Sequence, residues 1–90
     1  MHTLRHTKID GIQMRTAGRD TIVHDTVHEK LHVLNGTAAR ILTMCDGTRS
    51  CEDIARQISG DAGAPYEVVL RDVRMIVEQF SQLELLSESS

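Results

Sequence analysis

His24, His28 and His32 recur at every fourth position, and on a helix that spacing would bring three imidazoles to one face, where they suit a zinc ion. The residues around them favour strands and a hairpin turn instead, so the rings need not converge and no metal is expected. Cys45 and Cys51 lie six positions apart. A cysteine nucleophile needs a base and an oxyanion donor, and no Cys with His arrangement can be drawn for either thiol. Cys45 follows Ile41 by four residues, so it is expected to be a small buried packing residue. Cys51 stands at a predicted helix start, a position that lowers a thiol pKa and confers mild reactivity at most. Asp46 reads as terminating a helix or accepting turn hydrogen bonds, with Gly47 giving the reversal. Asp72 suits an N–H group or a basic side chain, and Arg71 and Arg74 read as solvent-facing residues that an acidic peptide or partner enzyme can engage. The sequence contains no Gly-rich phosphate loop and no metal-ligand motif. The expectation is a chain with no catalytic residue, no cofactor site and no turnover of its own.

Ninety residues suffice for one domain with one modest core. Phe80 and Tyr66 are the only aromatic residues, so the core must be built from Leu, Ile, Val, Met and Ala. Ten Lys and Arg stand against thirteen Asp and Glu, a formal charge of −3, which disfavours nucleic acid as a partner. No apolar run approaches a membrane span and no secretory leader precedes the two cysteines, so reduced thiols, no membrane and a cytoplasmic location are expected.

The elements that must position any site follow from periodicity. Residues 1–10 are polar and without a clean period, and read as a flexible arm. In Gly11 to Leu34, Ile12 and Met14 alternate with Gln13 and Arg15, and Thr21–Val23 and Leu31–Leu34 are short β-favouring runs. Three strands fit, in a small antiparallel sheet whose apolar face needs helices against it. Beyond Asn35, Ala38, Ile41, Leu42 and Cys45 recur at helical spacing, predicting a first helix over about Thr37–Cys45 with Asn35 or Thr37 as its cap. Ser50 caps a second helix over about Cys51–Ile58, with Glu52 and Asp53 in its first turn. Gly60 to Gly63 should break it, and Pro65 suits the first turn of a third helix. There Val69, Val73, Ile76, Phe80 and Leu83 form one apolar face. Residues 87–90 read as a frayed tail, and 11–86 as the domain.

The order Leu34-Asn35, Ala38-Ala39, Ile41-Leu42, Cys45-Asp46-Gly47-Thr48, Glu52-Asp53-Ile54-Ala55, Asp72-Val73 and Leu83-Glu84-Leu85-Leu86 resembles the PqqD family, also called RiPP recognition elements. The resemblance covers about Gly11 to Leu86. It implies an α+β fold of winged helix-turn-helix type, a three-stranded antiparallel sheet followed by three helices, that binds peptide. Members of that family present the leader segments of ribosomally made precursor peptides to radical S-adenosylmethionine or other modifying enzymes, pyrroloquinoline quinone being one product. The resemblance further implies a leader that adds as a strand beside the third strand and lies between it and the third helix. Carried onto this chain, that strand is Leu31, His32, Val33 and Leu34.

The physics of such a site is that an extended peptide completes the open hydrogen bonds of an edge strand while neighbouring side chains select its sequence. On the third helix two flanks border the apolar ridge. One carries Tyr66, Leu70 and Val77 with Arg74 just beyond, and the other carries Val68, Met75 and Gln79. The wider apolar arc makes Leu70, Arg74 and Val77 the expected groove wall. The alternatives are a winged-helix DNA-binding protein, which the acidic residues Glu67, Asp72 and Glu78 of that helix disfavour, and a structural subunit of an enzyme complex.

Overall fold

The computed structural model describes residues 5–89. Strands β1 (Arg5–Lys8), β2 (Ile12–Ala17), β3 (Asp20–Asp25) and β4 (Lys30–Leu34) precede helix α1 (Gly36–Met44), then β5 (Asp46–Ser50), α2 (Cys51–Ala62), α3 (Tyr66–Gln82) and β6 (Leu86–Ser89). The expected α+β arrangement of three antiparallel strands and three helices is present, with β2, β3 and β4 paired in chain order. Met14, Val23 and His32 stand opposite one another on one face of that sheet, and Arg15, Ile22 and Val33 on the other. The inner face carries Val23 into the core, with Ile12, Met14 and Leu34 packed against it.

A second sheet was not foreseen. β1 pairs antiparallel with both β5 and β6, so residues 5–8 form a strand where an arm was expected and residues 87–89 a strand where a frayed tail was expected, the remaining 1–4 and 90 lying outside the described residues. Asp46 accepts the turn hydrogen bonds of Thr48 and opens β5 just after α1 ends. Arg-His-Thr-Lys has no apolar alternation to announce it. Its order comes from partners forty and eighty residues away in the chain, reinforced by hydrogen bonds from the Lys8 N–H to the Cys45 carbonyl and from the Ile9 N–H to the Leu85 carbonyl, each 3.0 Å. Gly47 has φ +85°, and a Cβ there would lie 2.7 Å from Thr7 Oγ1, so a side chain between β5 and β1 would be strained and would displace Thr7.

Local signals fix the helix starts. The Asn35 side chain accepts from the Ala38 N–H at 2.8 Å. Ser50 and Asp53 form a reciprocal capping box at the start of α2. α2 runs through Gly60 to Ala62 and ends at Gly63 in the left-handed conformation (φ 65°), four residues later than expected because one helical glycine costs less than the contacts that α2 makes with α3. Pro65 caps α3 from outside its first turn. Ile41, Leu42, Ile54, Val73, Phe80 and Leu85 fill the space between helices and sheets, each full burial contributing about 1.5–3 kcal/mol.

Candidate functional site

β4 lies at the edge of its sheet, paired with β3 on one side. Its outward residues Leu31 and Val33 are 69% and 67% exposed, an uncommon state for two β-favouring apolar side chains on one strand. Leu34 is half-buried against the core. His32 points inward opposite the buried Val23, and its Nε2 is buried without a hydrogen-bond partner among the described residues. Among the described residues β4 thus has an open backbone edge, apolar Leu31 and Val33 on its outer face and an unpaired polar atom on its inner face.

The α3 residues expected to wall the groove, Leu70, Arg74 and Val77, are turned toward the core and α2. Val77 is 3% exposed and belongs to the core. Leu70 is half-buried against that core, and Arg74 reaches Glu52 of α2 at 3.4 Å. On the same side the Arg56 guanidinium of α2 stands 5.7 Å from the centre of the Tyr66 ring. The Arg74–Glu52 and Arg56–Tyr66 contacts turn this flank toward α2. The flank turned away from α2 carries Val68 and Met75, 44% and 55% exposed, with Ile76 half-buried at its border.

One corner fixes β4 relative to the end of α3. Asp25 is fully buried, and its carboxylate accepts the Val27 and His28 backbone N–H groups at 3.0 Å each and meets His28 Nδ1 at 2.6 Å. The other ring nitrogen of His28 lies 3.2 Å from Glu84 Oε2, just past α3. Burial alone would raise the Asp25 pKa, but the hydrogen bonds from His28 and Val27 outweigh it and hold the carboxyl below its ordinary value. The histidine spacing includes His28 but does not point to Asp25 as its structural partner. An Asp three residues before a His at a hairpin turn was the available signal.

The thiols are placed for packing. Burial, with lesser contributions from Cys51 and Asp46, pushes the Cys45 thiol up to about 12. Burial and then Glu52 raise that of Cys51, reversing the expectation from its helix-start position. Among the described residues no group of three or more His, Cys, Asp or Glu gathers to hold a metal, and no helix is long and apolar enough to cross a membrane. A hollow of about 350 Å³ on the outer face of the sheet is lined by Gln13, Met14, Arg15, Ile22, His24 and Leu31.

The family model described as Coenzyme PQQ synthesis protein D (PqqD) matches residues 20–86. The PqqA binding protein of Gluconobacter oxydans (strain 621H) is 29% identical over 89 residues, which cover 90% of this chain and 93% of that protein. The solved structure of TbiB1 in complex with the TbiA(beta) leader peptide shares the fold, with a TM-score of 0.77 over 90% of this chain and 94% of that one at 17% identity.

Proposed function

The chain belongs to the PqqD family, and we propose that it binds the leader segment of a ribosomally made precursor peptide and presents it to a modifying enzyme, without catalysing a reaction itself. The observation that carries this is the open edge of β4, which has exposed Leu31 and Val33 on it and exposed Val68 and Met75 on α3. An extended peptide gains main-chain hydrogen bonds there and its alternate side chains find apolar contacts. The curated relative is named for binding PqqA, and the structural relative was solved with a leader peptide. A precursor of the PqqA kind is therefore the first peptide to test. A radical S-adenosylmethionine enzyme is the modifying partner, and the cytoplasm, where such precursors are made, is the compartment.

In this proposal Lys30 to Leu34 supply the backbone ladder, His32 and Leu34 meet the inward side chains of the peptide, and Val68, Met75 and Ile76 of α3 form the opposing wall. The exposed Glu67, Asp72 and Glu78 of α3 weigh against duplex DNA on the same helix. Calorimetric titration with synthetic PqqA and with a scrambled control, joined to amide chemical-shift mapping, tests the proposal. Saturable binding of PqqA alone, with shifts concentrated on Leu31 to Leu34, is expected. Tight binding to duplex DNA with no response to PqqA would overturn it.

A further inference from the structure

We infer that the leader is read on both faces of the strand it adds, its outward side chains packing on Leu31 and Val33 while its inward ones meet α3, so that the chain selects peptides with consecutive apolar residues. The inference rests on the strand-addition site proposed above and names the peptide class that the site takes.

Successive side chains of a strand point to opposite faces, and a paired strand places its Cβ atoms about 4.5–5.5 Å from those directly opposite. A peptide added to β4 must therefore set every second residue beside Leu31 or Val33. These are the two most exposed large apolar side chains among the described residues. Each has a cross-strand neighbour on one side only, His24 for Leu31 and Ile22 for Val33. On the outer face the two rows that reach β4, Gln13–His24–Leu31 and Arg15–Ile22–Val33, become apolar toward the open edge and contain no carboxylate, the face's Asp20 pairing with Ala17 beyond them. A polar or acidic outward residue on the peptide would leave both apolar side chains half covered, whereas an apolar one completes each row.

Amphipathic alternation is the ordinary pattern for a strand with one wet face. Here the open edge is apolar on its outer face, and the exposed flank of α3 presents Val68 and Met75 beside Asp72 and Gln79. Recognition on both sides excludes peptides that alternate apolar and polar residues and favours a short unbroken apolar run.

The test is a serine scan of synthetic PqqA against the wild-type protein and a Leu31→Thr/Val33→Thr double variant. Threonine keeps the β preference, and both positions are exposed, so the amide spectrum of the double variant should retain the native dispersion. Wild type should lose affinity at both odd and even peptide positions within the strand-forming segment. The double variant should bind roughly five- to tenfold more weakly, from two lost cross-strand pairs, and should no longer respond at one of the two alternations. Unchanged affinity in the double variant, together with weakened binding by Met75→Asp, would overturn the inference and leave the leader-binding proposal standing. A wild-type scan sensitive at one alternation only would do the same, and needs no variant to fold. A wild-type dimer that the double variant dissolves without change in peptide affinity would assign this face to a second copy of the chain and overturn the inference. No binding of PqqA by wild type would overturn both.

Discussion

Asp25 Oδ2 and His28 Nδ1 meet at 2.6 Å beneath the β3–β4 turn, where the carboxylate is fully buried and the imidazole one-third exposed. The pair closes the turn through the Val27 and His28 backbone N–H groups, and allows Glu29 its positive φ of 55°. Because His28 also reaches Glu84, the start of the edge strand and the end of α3 are joined through one side chain.

Asp25 should make the fold sensitive to acid. Its carboxyl titrates below its ordinary value when folded, so its contribution to stability is complete above the unfolded value of about 3.9 and is lost as pH falls through the folded value. Asp46, lowered chiefly by the Thr48 hydroxyl, and Asp53, lowered chiefly by the Ser50 N–H, act in the same direction. Thermal melts followed by circular dichroism should hold a plateau near neutrality and fall below about pH 4. Asp25→Asn should lower the plateau and flatten the acid limb. An identical acid limb in wild type and variant would mean that the buried carboxylate is not linked to folding.

The two thiols should behave as packing groups. Raising Cys45 from 9.0 to about 12 cuts its thiolate fraction at neutral pH by roughly a thousandfold, and burial blocks the reagent as well. Alkylation at pH 8, read by mass spectrometry of the digested protein, should be slowest at Cys45 and should follow global unfolding as urea is added. Rapid labelling of Cys45 in the absence of denaturant would refute its place in the core.

What the sequence made legible was what neighbouring residues decide. Asn35 and Ser50 announce their helices because a cap needs only the next three residues. Val73 and Phe80 announce the buried ridge of α3 because its period is local. β1 was illegible because Arg5–Lys8 owes its order to β5 and β6. Which flank of α3 stays exposed was illegible for a related reason. A helical wheel fixes the centre of a face, but the neighbour that covers each side depends on where α2 packs. Val77 and Leu70 count as apolar excess on the wheel until α2 and the core absorb them.

Two glycine substitutions test the second sheet. Gly47→Ala places a Cβ 2.7 Å from Thr7 Oγ1 at φ +85°, which should cost about 1–3 kcal/mol in strain and displaced pairing. Gly60→Ala meets nothing within 4 Å and lies inside α2, where it should stabilise by roughly 0.5–1 kcal/mol. Urea midpoints should move in opposite directions. A neutral Gly47→Ala would mean that β1 does not seat against β5.

Two substitutions separate the two flanks of α3. Met75 is 55% exposed on the flank turned from α2, so Met75→Asp should leave the urea midpoint within about 0.5 kcal/mol of wild type. If the leader lies between β4 and this flank, the new carboxylate must be desolvated on binding, and affinity for synthetic PqqA should fall more than tenfold, above ~1.4 kcal/mol. Leu70→Asp makes the complementary test. Leu70 packs against the core beside α2, so a charge there should cost about 1–3 kcal/mol of stability and weaken peptide binding only in proportion to the unfolded fraction. Calorimetric titrations should be run where both variants remain folded, as judged by their amide spectra. Loss of PqqA binding in folded Leu70→Asp, with Met75→Asp unaffected, would put the peptide on the α2 side. In that event Arg74 would have to release Glu52 to admit it, and Glu52→Gln should then tighten binding.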